Sequence, residues 1–271
     1  MPPAGAATGE RDLSPGLPIW VWPVLALLVG FVLTFWLARD QQRQHQADRR
    51  AALEAVAGTG YAALVRRLDD YHFLARSVQT LFLTSQDVTD DEFANVYENL
   101  RPRQRLPGLQ ALAYADAETT PEGLRLVTRM VVPLAGNERV VGLEVNDQPG
   151  NMAAVLSSRD SDEPTLSAPF RLVQVTEPAA RVDGLTLRLP VYDAGPPPRT
   201  LADRRARLGG SLAVSFRASR LVESALSDQV REAMHVEVAD VTGGGARVLN
   251  DSHPRPHASV RPELHIVREL H

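Results

Sequence analysis

The sequence predicts an α+β protein in three parts: a helix of membrane length, a long stalk helix, and then antiparallel sheet. Three observations carry this. Ile19 to Ala38 runs twenty residues without a charge. From Arg39 to about Ser85 there is no proline, and apolar residues recur at spacings of three and four. From Leu109 onward the spacing falls to two, in short runs separated by Pro- and Gly-bearing turns.

Residues 1–18 are rich in Pro, Gly and Ala and read as a disordered leader. The apolar run that follows would be about 30 Å long as a helix, the hydrocarbon thickness of a bilayer. Trp20, Trp22 and Trp36 lie near its ends, where indoles favour the lipid–water interface. A signal peptide would have a shorter apolar stretch, a basic leader and a small-residue cleavage site. Here the run is long and leads into Arg39-Asp40-Gln41-Gln42-Arg43, so an uncleaved anchor over 19–38 is expected, with the bilayer as its partner. The leader carries only Arg11 and the amino terminus, whereas Arg39, Arg43, Arg49 and Arg50 follow the span. A count of positive charges alone would place the downstream side in the cytoplasm.

The stalk, 39–85, has apolar residues at Ala57, Tyr61, Leu64, Leu68, Tyr71, Ala75, Val78 and Phe82. Their alternating steps of four and three make a heptad seam. Such a seam either packs on its own domain or joins two copies of the chain; a stalk that does both, as a homodimer, is the expectation. Val88-Thr89-Asp90-Asp91-Glu92-Phe93 then holds a capping box, Thr89 with Glu92, and a hydrophobic staple, Val88 with Phe93. A helix therefore starts there and runs to about Leu100. Pro107-Gly108 makes a turn. Strands are predicted over Leu109–Ala115, Leu124–Val132, Thr165–Val175, Leu185–Tyr192 and Leu208–Phe216, and helices over Gln148–Arg159 and Ser219–Arg231. Val236–Val241, Arg247–Asn250 and Glu263–Glu269 read as the start of a second small sheet, incomplete in this chain.

Composition excludes several functions. The net charge is −4, so there is no basic excess for nucleic acid. With no cysteine there are no disulfides, thiolate metal sites or cysteine nucleophiles. No Gly-x-Ser-x-Gly, P-loop or His-Glu-x-x-His pattern occurs, and no catalytic set can be assembled. His235, His253, His257, His265 and His271 have no zinc-like spacing and read as a solvated tail. Asp90, Asp91 and Glu92 read as acids at a helix start. No metal, cofactor or enzymatic activity is expected.

Six further pieces stand in order along the middle of the chain. They are Val88-Thr89 with Glu92-Phe93; Leu106-Pro107-Gly108-Leu109-Gln110-Ala111-Leu112; and Leu143-Glu144 with Ala153-Ala154-Val155-Leu156 and Arg159-Asp160. Then come Leu166-Ser167-Ala168-Pro169-Phe170-Arg171-Leu172-Val173-Gln174 and Gly184-Leu185-Thr186-Leu187-Arg188-Leu189-Pro190-Val191-Tyr192. Arg204-Arg205, Leu208-Gly209-Gly210-Ser211-Leu212 and Phe216-Arg217 close the set. Together, from about Leu74 to Leu226, they resemble the CHASE domain, the extracellular sensory module of receptor histidine kinases and nucleotide cyclases. The resemblance implies tandem PAS-like sheets on a stalk helix: a sensor domain over 86–230 holding the ligand, and a partial membrane-proximal region over 231–271. It also implies a periplasmic position on the bacterial inner membrane, with the 1–18 leader in the cytoplasm, against the charge count. A second membrane helix and a kinase or diguanylate cyclase output would follow His271, so a fragment of a longer receptor is expected. Ala135 stands where plant members carry an acidic residue that holds a purine, which argues against cytokinin-like recognition.

In a sheet-based sensor, inward side chains of central strands line a small cavity with a few fixed polar groups. Ser167, Phe170, Leu187 and Leu189 are the first candidates to bind a small-molecule ligand. Tyr114 and Met130 join them from the first two strands, with Gly210 and Ala213 making room on the last. The plainer reading of these residues is core. At the level of the whole chain, the alternative is a membrane-tethered assembly module that binds protein and has no small-molecule cavity.

Overall fold

A computed structural model of the chain describes residues 21–85, 87–174, 184–242, 244–252 and 266–267. Helix α1, Val21–Thr84, runs through both the apolar segment and the stalk. The chain divides after Ala52. In the first unit no described residue is buried. Trp22, Leu27, Phe31 and Trp36 are 62–75% exposed, although exposing each of them to water costs free energy. This is the one helix among the described residues long and apolar enough to cross a membrane.

The second unit, from Leu53, holds everything else. Here α1 buries Gly60, Leu64, Tyr71, Leu74, Ala75, Val78 and Gln79. The second half of the predicted seam therefore packs on its own domain. Helix α2, Asp90–Leu100, starts as predicted: the Thr89 side chain accepts from the Glu92 N–H and the Glu92 carboxylate accepts from the Thr89 N–H. Val88 and Phe93 are both buried in the main core. Arg101, in the left-handed region, turns the chain into the short helix α3, Pro102–Arg105.

Strands β1, Leu109–Thr120, and β2, Gly123–Val132, form a hairpin longer than predicted. Two single 3-10 turns then lead to helix α4, Pro149–Ser161. Strand β3 is only Thr165–Leu166, followed by a lone bridge from Phe170 to Gly184. The prediction of a strand to Val175 is corrected here for 167–174. Pro169 has no N–H to give a ladder, and the Ser167 hydroxyl takes the place of a backbone carbonyl by accepting from the Thr186 N–H. Val175 lies outside the described residues. Strand β4, Gly184–Tyr192, follows. Helix α5, Leu201–Ala206, capped by the Thr200 side chain on the Asp203 N–H, was not predicted. Strand β5, Leu208–Arg217, leads to helices α6, Ala218–Ala225, and α7, Asp228–Ala233. Those two were expected as one helix. Leu226 and Ser227 are extended, and the Ser227 side chain caps Val230, so the helix restarts there. Strands β6, Glu237–Asp240, and β7, Arg247–Asp251, form a separate two-stranded sheet. Most of the predicted strand Glu263–Glu269 lies outside the described residues.

The main sheet is antiparallel, in the order β2-β1-β5-β4-β3. All nine residues of β4 are buried, so both faces of the sheet are covered there. One face meets α1: Leu112, Met130, Leu187, Leu189, Val214 and Phe216 share a core with Tyr71, Leu74, Ala75 and Val78. The Tyr71 and Phe216 rings lie 4.3 Å apart. Leu249 of β7 belongs to the same core. The other face lies under α4 and residues 170–174.

Candidate functional site

Side chains on a strand alternate between faces. On β4 this sends Leu185, Leu187 and Leu189 to the α1 core, and Thr186 and Arg188 to the opposite face. The register completes the row. Arg188 pairs with Ala213 on β5, and Ala213 pairs with Ala113 on β1. Thr186 pairs in the same way with Ser215, their hydroxyls 3.2 Å apart. Two alanines beside a long side chain leave space, and a cavity of about 30 Å³ opens there. Its walls include Ala113, Val140, Leu143, Phe170, Leu172 and Ala213; its polar lining includes Thr128, Gln148, Asn151, Gln174, Thr186, Arg188 and Ser215. That volume holds about one water.

Arg188 dominates the electrostatics. It is 4% exposed. Its Nε donates to Asn151 Oδ1 at 2.8 Å, and Asn151 Nδ2 donates to Gln148 Oε1 at 2.8 Å. Among the described residues no carboxylate pairs with it. Burial alone pushes its pKa down to about 9, so the side chain still carries its charge at neutral pH. Gln174 Oε1, on the cavity wall, is buried and has no hydrogen-bond partner among the described residues.

The neighbouring geometry holds this site in shape. Gly150 at the start of α4 faces Ala168, whose Cβ would stand 2.9 Å from any side-chain carbon placed there. Gly184 gives Leu172 the space a side chain would fill. At the far end of α4, Asp160 bonds Arg159 and Arg205, whose charges hold its carboxyl well below the usual carboxylate range. Arg76 of α1 donates to the Asp162 carbonyl at 2.6 Å and to Glu163 at 2.9 Å. Beside the 3-10 turns, Glu144 is ion-paired with Arg125.

The eight residues singled out from the sequence divide between the two faces. Phe170 and Ala213 line the cavity. Ser167 is buried beside it, its hydroxyl engaged by the Thr186 N–H at 3.0 Å. Tyr114, Met130, Leu187 and Leu189 lie in the α1 core. There Tyr114 stacks on Phe82 at 4.4 Å, and burial raises its hydroxyl pKa. Gly210 lies against the Tyr114 ring, which fills the room a side chain would need. Sequence reasoning missed Arg188, Asn151, Gln148 and Gln174. The available signal was a lone arginine in a strand of otherwise uncharged residues. Among the described residues no group of three His, Asp or Glu side chains could hold a metal ion.

Residues 117–249 match the CHASE domain family. The chain carries a CHASE domain. The match begins inside β1 and runs through β4 and β5 to β7, so the cavity and the second small sheet both draw on it. No curated protein matches the chain. A CHASE domain is a sensory module of signalling receptors, not a catalytic one. In this chain the CHASE domain follows a candidate membrane-spanning helix.

Proposed function

We propose that the chain is the extracytoplasmic, ligand-sensing part of a membrane-bound bacterial receptor. The CHASE domain stands in the periplasm, held to the inner membrane by residues 19–38. Its five-stranded sheet is the PAS-like sensor, and the β6–β7 pair belongs to a second, membrane-proximal PAS-like region. The ligand occupies the cavity around Ala113, Ala213 and Arg188, with Phe170 and Ser167 at its border. The sensor serves a histidine kinase or diguanylate cyclase output. Two copies join through the stalk upstream of Leu53, where no described residue is buried.

One observation carries the reading. A sensory CHASE domain shares its chain with an apolar helix that no described residue covers, and only lipid would give that helix a favourable environment. Ligand binding can bias signalling only through a difference in affinity between two states. Arg76, tying α1 to the end of α4, is a contact through which the site and the stalk can be coupled.

The chain has no cysteine, which makes the topology directly measurable. Ala135→Cys places a thiol at an exposed position of the CHASE domain. A membrane-impermeant maleimide applied to intact spheroplasts should label it fully. Labelling that requires permeabilised membranes would put the domain in the cytosol and end this reading.

A further inference from the structure

We infer that the cavity's ligand is a small monocarboxylate, its carboxylate held by the guanidinium of Arg188. This rests on the ligand-sensing reading above and narrows it to a chemical class.

A buried charge normally has a partner, because removing it from water costs several kcal/mol. Arg188 is buried and charged, and among the described residues its one hydrogen bond goes from Nε to a neutral amide. The Nη1 and Nη2 edge has no described partner, and the residue lines the cavity. Two parallel N–H groups on one planar edge match the two oxygens of a carboxylate. One cation balances one negative charge. A phosphate dianion would need further cationic donors, and among the described residues no second cation lines this cavity.

The remaining walls set the rest of the molecule. Ala113, Val140, Leu143, Leu172 and Ala213 offer apolar contact to a short carbon chain. Thr186, Ser215 and Gln174 lie on the same lining and can bond a hydroxyl or oxo group on it. At about 30 Å³ the cavity has room for about one water, so even a two- or three-carbon acid enters only as the walls of α4 and residues 170–174 move outward, and larger ligands are excluded. Asn151 is the positioning residue: it holds Nε from behind, and Gln148 orients Asn151 in turn.

The test uses the full chain in lipid nanodiscs, with calorimetric titration and thermal melting. The probes are acetate, propionate, pyruvate and lactate, with propionamide and inorganic phosphate as controls. At least one monocarboxylate should bind saturably and raise Tm, as a ligand specific for the folded state must. Arg188→Gln should weaken that binding at least about tenfold, the scale of a charge-assisted hydrogen bond. Ala213→Leu keeps the arginine but fills the cavity, and should abolish binding. The unliganded melt of each variant shows whether it is folded. Equal binding of propionamide and propionate, or unchanged binding in folded Arg188→Gln, would overturn the carboxylate assignment while leaving a ligand site. Binding of phosphate alone, or of none of the probes, would also overturn it. None of these outcomes touches the maleimide result, so a failure here is separable from a failure of the receptor topology.

Discussion

On β4, successive side chains pass into opposite surroundings. Leu185, Leu187 and Leu189 enter the core against α1, while Thr186 and Arg188 enter the cavity beneath α4. Both sets are buried, Leu189 at 0% exposure and Thr186 at 1%. Burial is thus the same and the chemistry opposite. The α1 face follows the usual logic of a core: apolar area removed from water, close packing and matched aromatic rings. The cavity face departs from it, with small residues next to a charge that has no ionic partner among the described residues. A face made only for stability would not keep such a group, since well-packed apolar residues there would cost less. The difference separates the face that holds the fold together from the face proposed for the ligand.

The comparison can be tested from its stronger side first. Phe216→Ala removes a fully buried ring from the α1 face and should cost about 3–5 kcal/mol in urea unfolding. Ala213→Ser, on the cavity face, should change stability far less; a comparable loss there would erase the distinction. A smaller effect is expected at the edge of β4. Pro190 gives no N–H, and its carbonyl, past the end of β3, accepts from Gln79 Nε2 of α1 at 2.7 Å. Gln79→Leu leaves that carbonyl unpaired and should cost about 1–3 kcal/mol. Smaller again, Thr89→Ala removes the cap of α2 and should cost about 1 kcal/mol, with no effect on ligand response.

The pH dependence sharpens the contrast further. In the folded chain the pKa of Arg188 is about 9, below its ordinary value of 12.5. Above pH 9 the unfolded chain therefore binds the extra proton, and stability relative to Arg188→Met should rise as pH climbs from 9 towards 11. The raised hydroxyls of Tyr71, Tyr114 and Tyr192 act the other way above pH 10, equally in both chains, and cancel in the difference. Parallel denaturant curves at pH 8, 9.5 and 11 would show it.

Much of the fold was legible in the sequence. Period and punctuation identified the long helix, the start of β1 and strands β2, β4 and β5, and Thr89 with Glu92 gave the start of α2. Thr200 and Asp203 carry a similar cap signal for α5, but the prolines before it drew the segment into a loop. The end of β3 was hidden because Ser167 replaces a backbone acceptor with its hydroxyl, a substitution that period cannot reveal. The site was less legible. Alternation correctly placed Leu187 and Leu189 on a common face, but it cannot say which face meets a helix and which a cavity. A charge in a strand normally faces water, so nothing in the pattern singled out Arg188. Its burial comes from α4 and the 170–174 segment, brought over the sheet by tertiary contacts.

The claim on which the rest depends is that the cavity face gives up stability to keep an arginine for a ligand. Thermal melting of the ligand-free full chain beside Arg188→Met at pH 7 tests it most directly. The variant should melt higher, by the equivalent of about 1–4 kcal/mol. If Arg188→Met melts lower than the wild type, Arg188 is holding the fold together, and the cavity is not a site kept for a ligand.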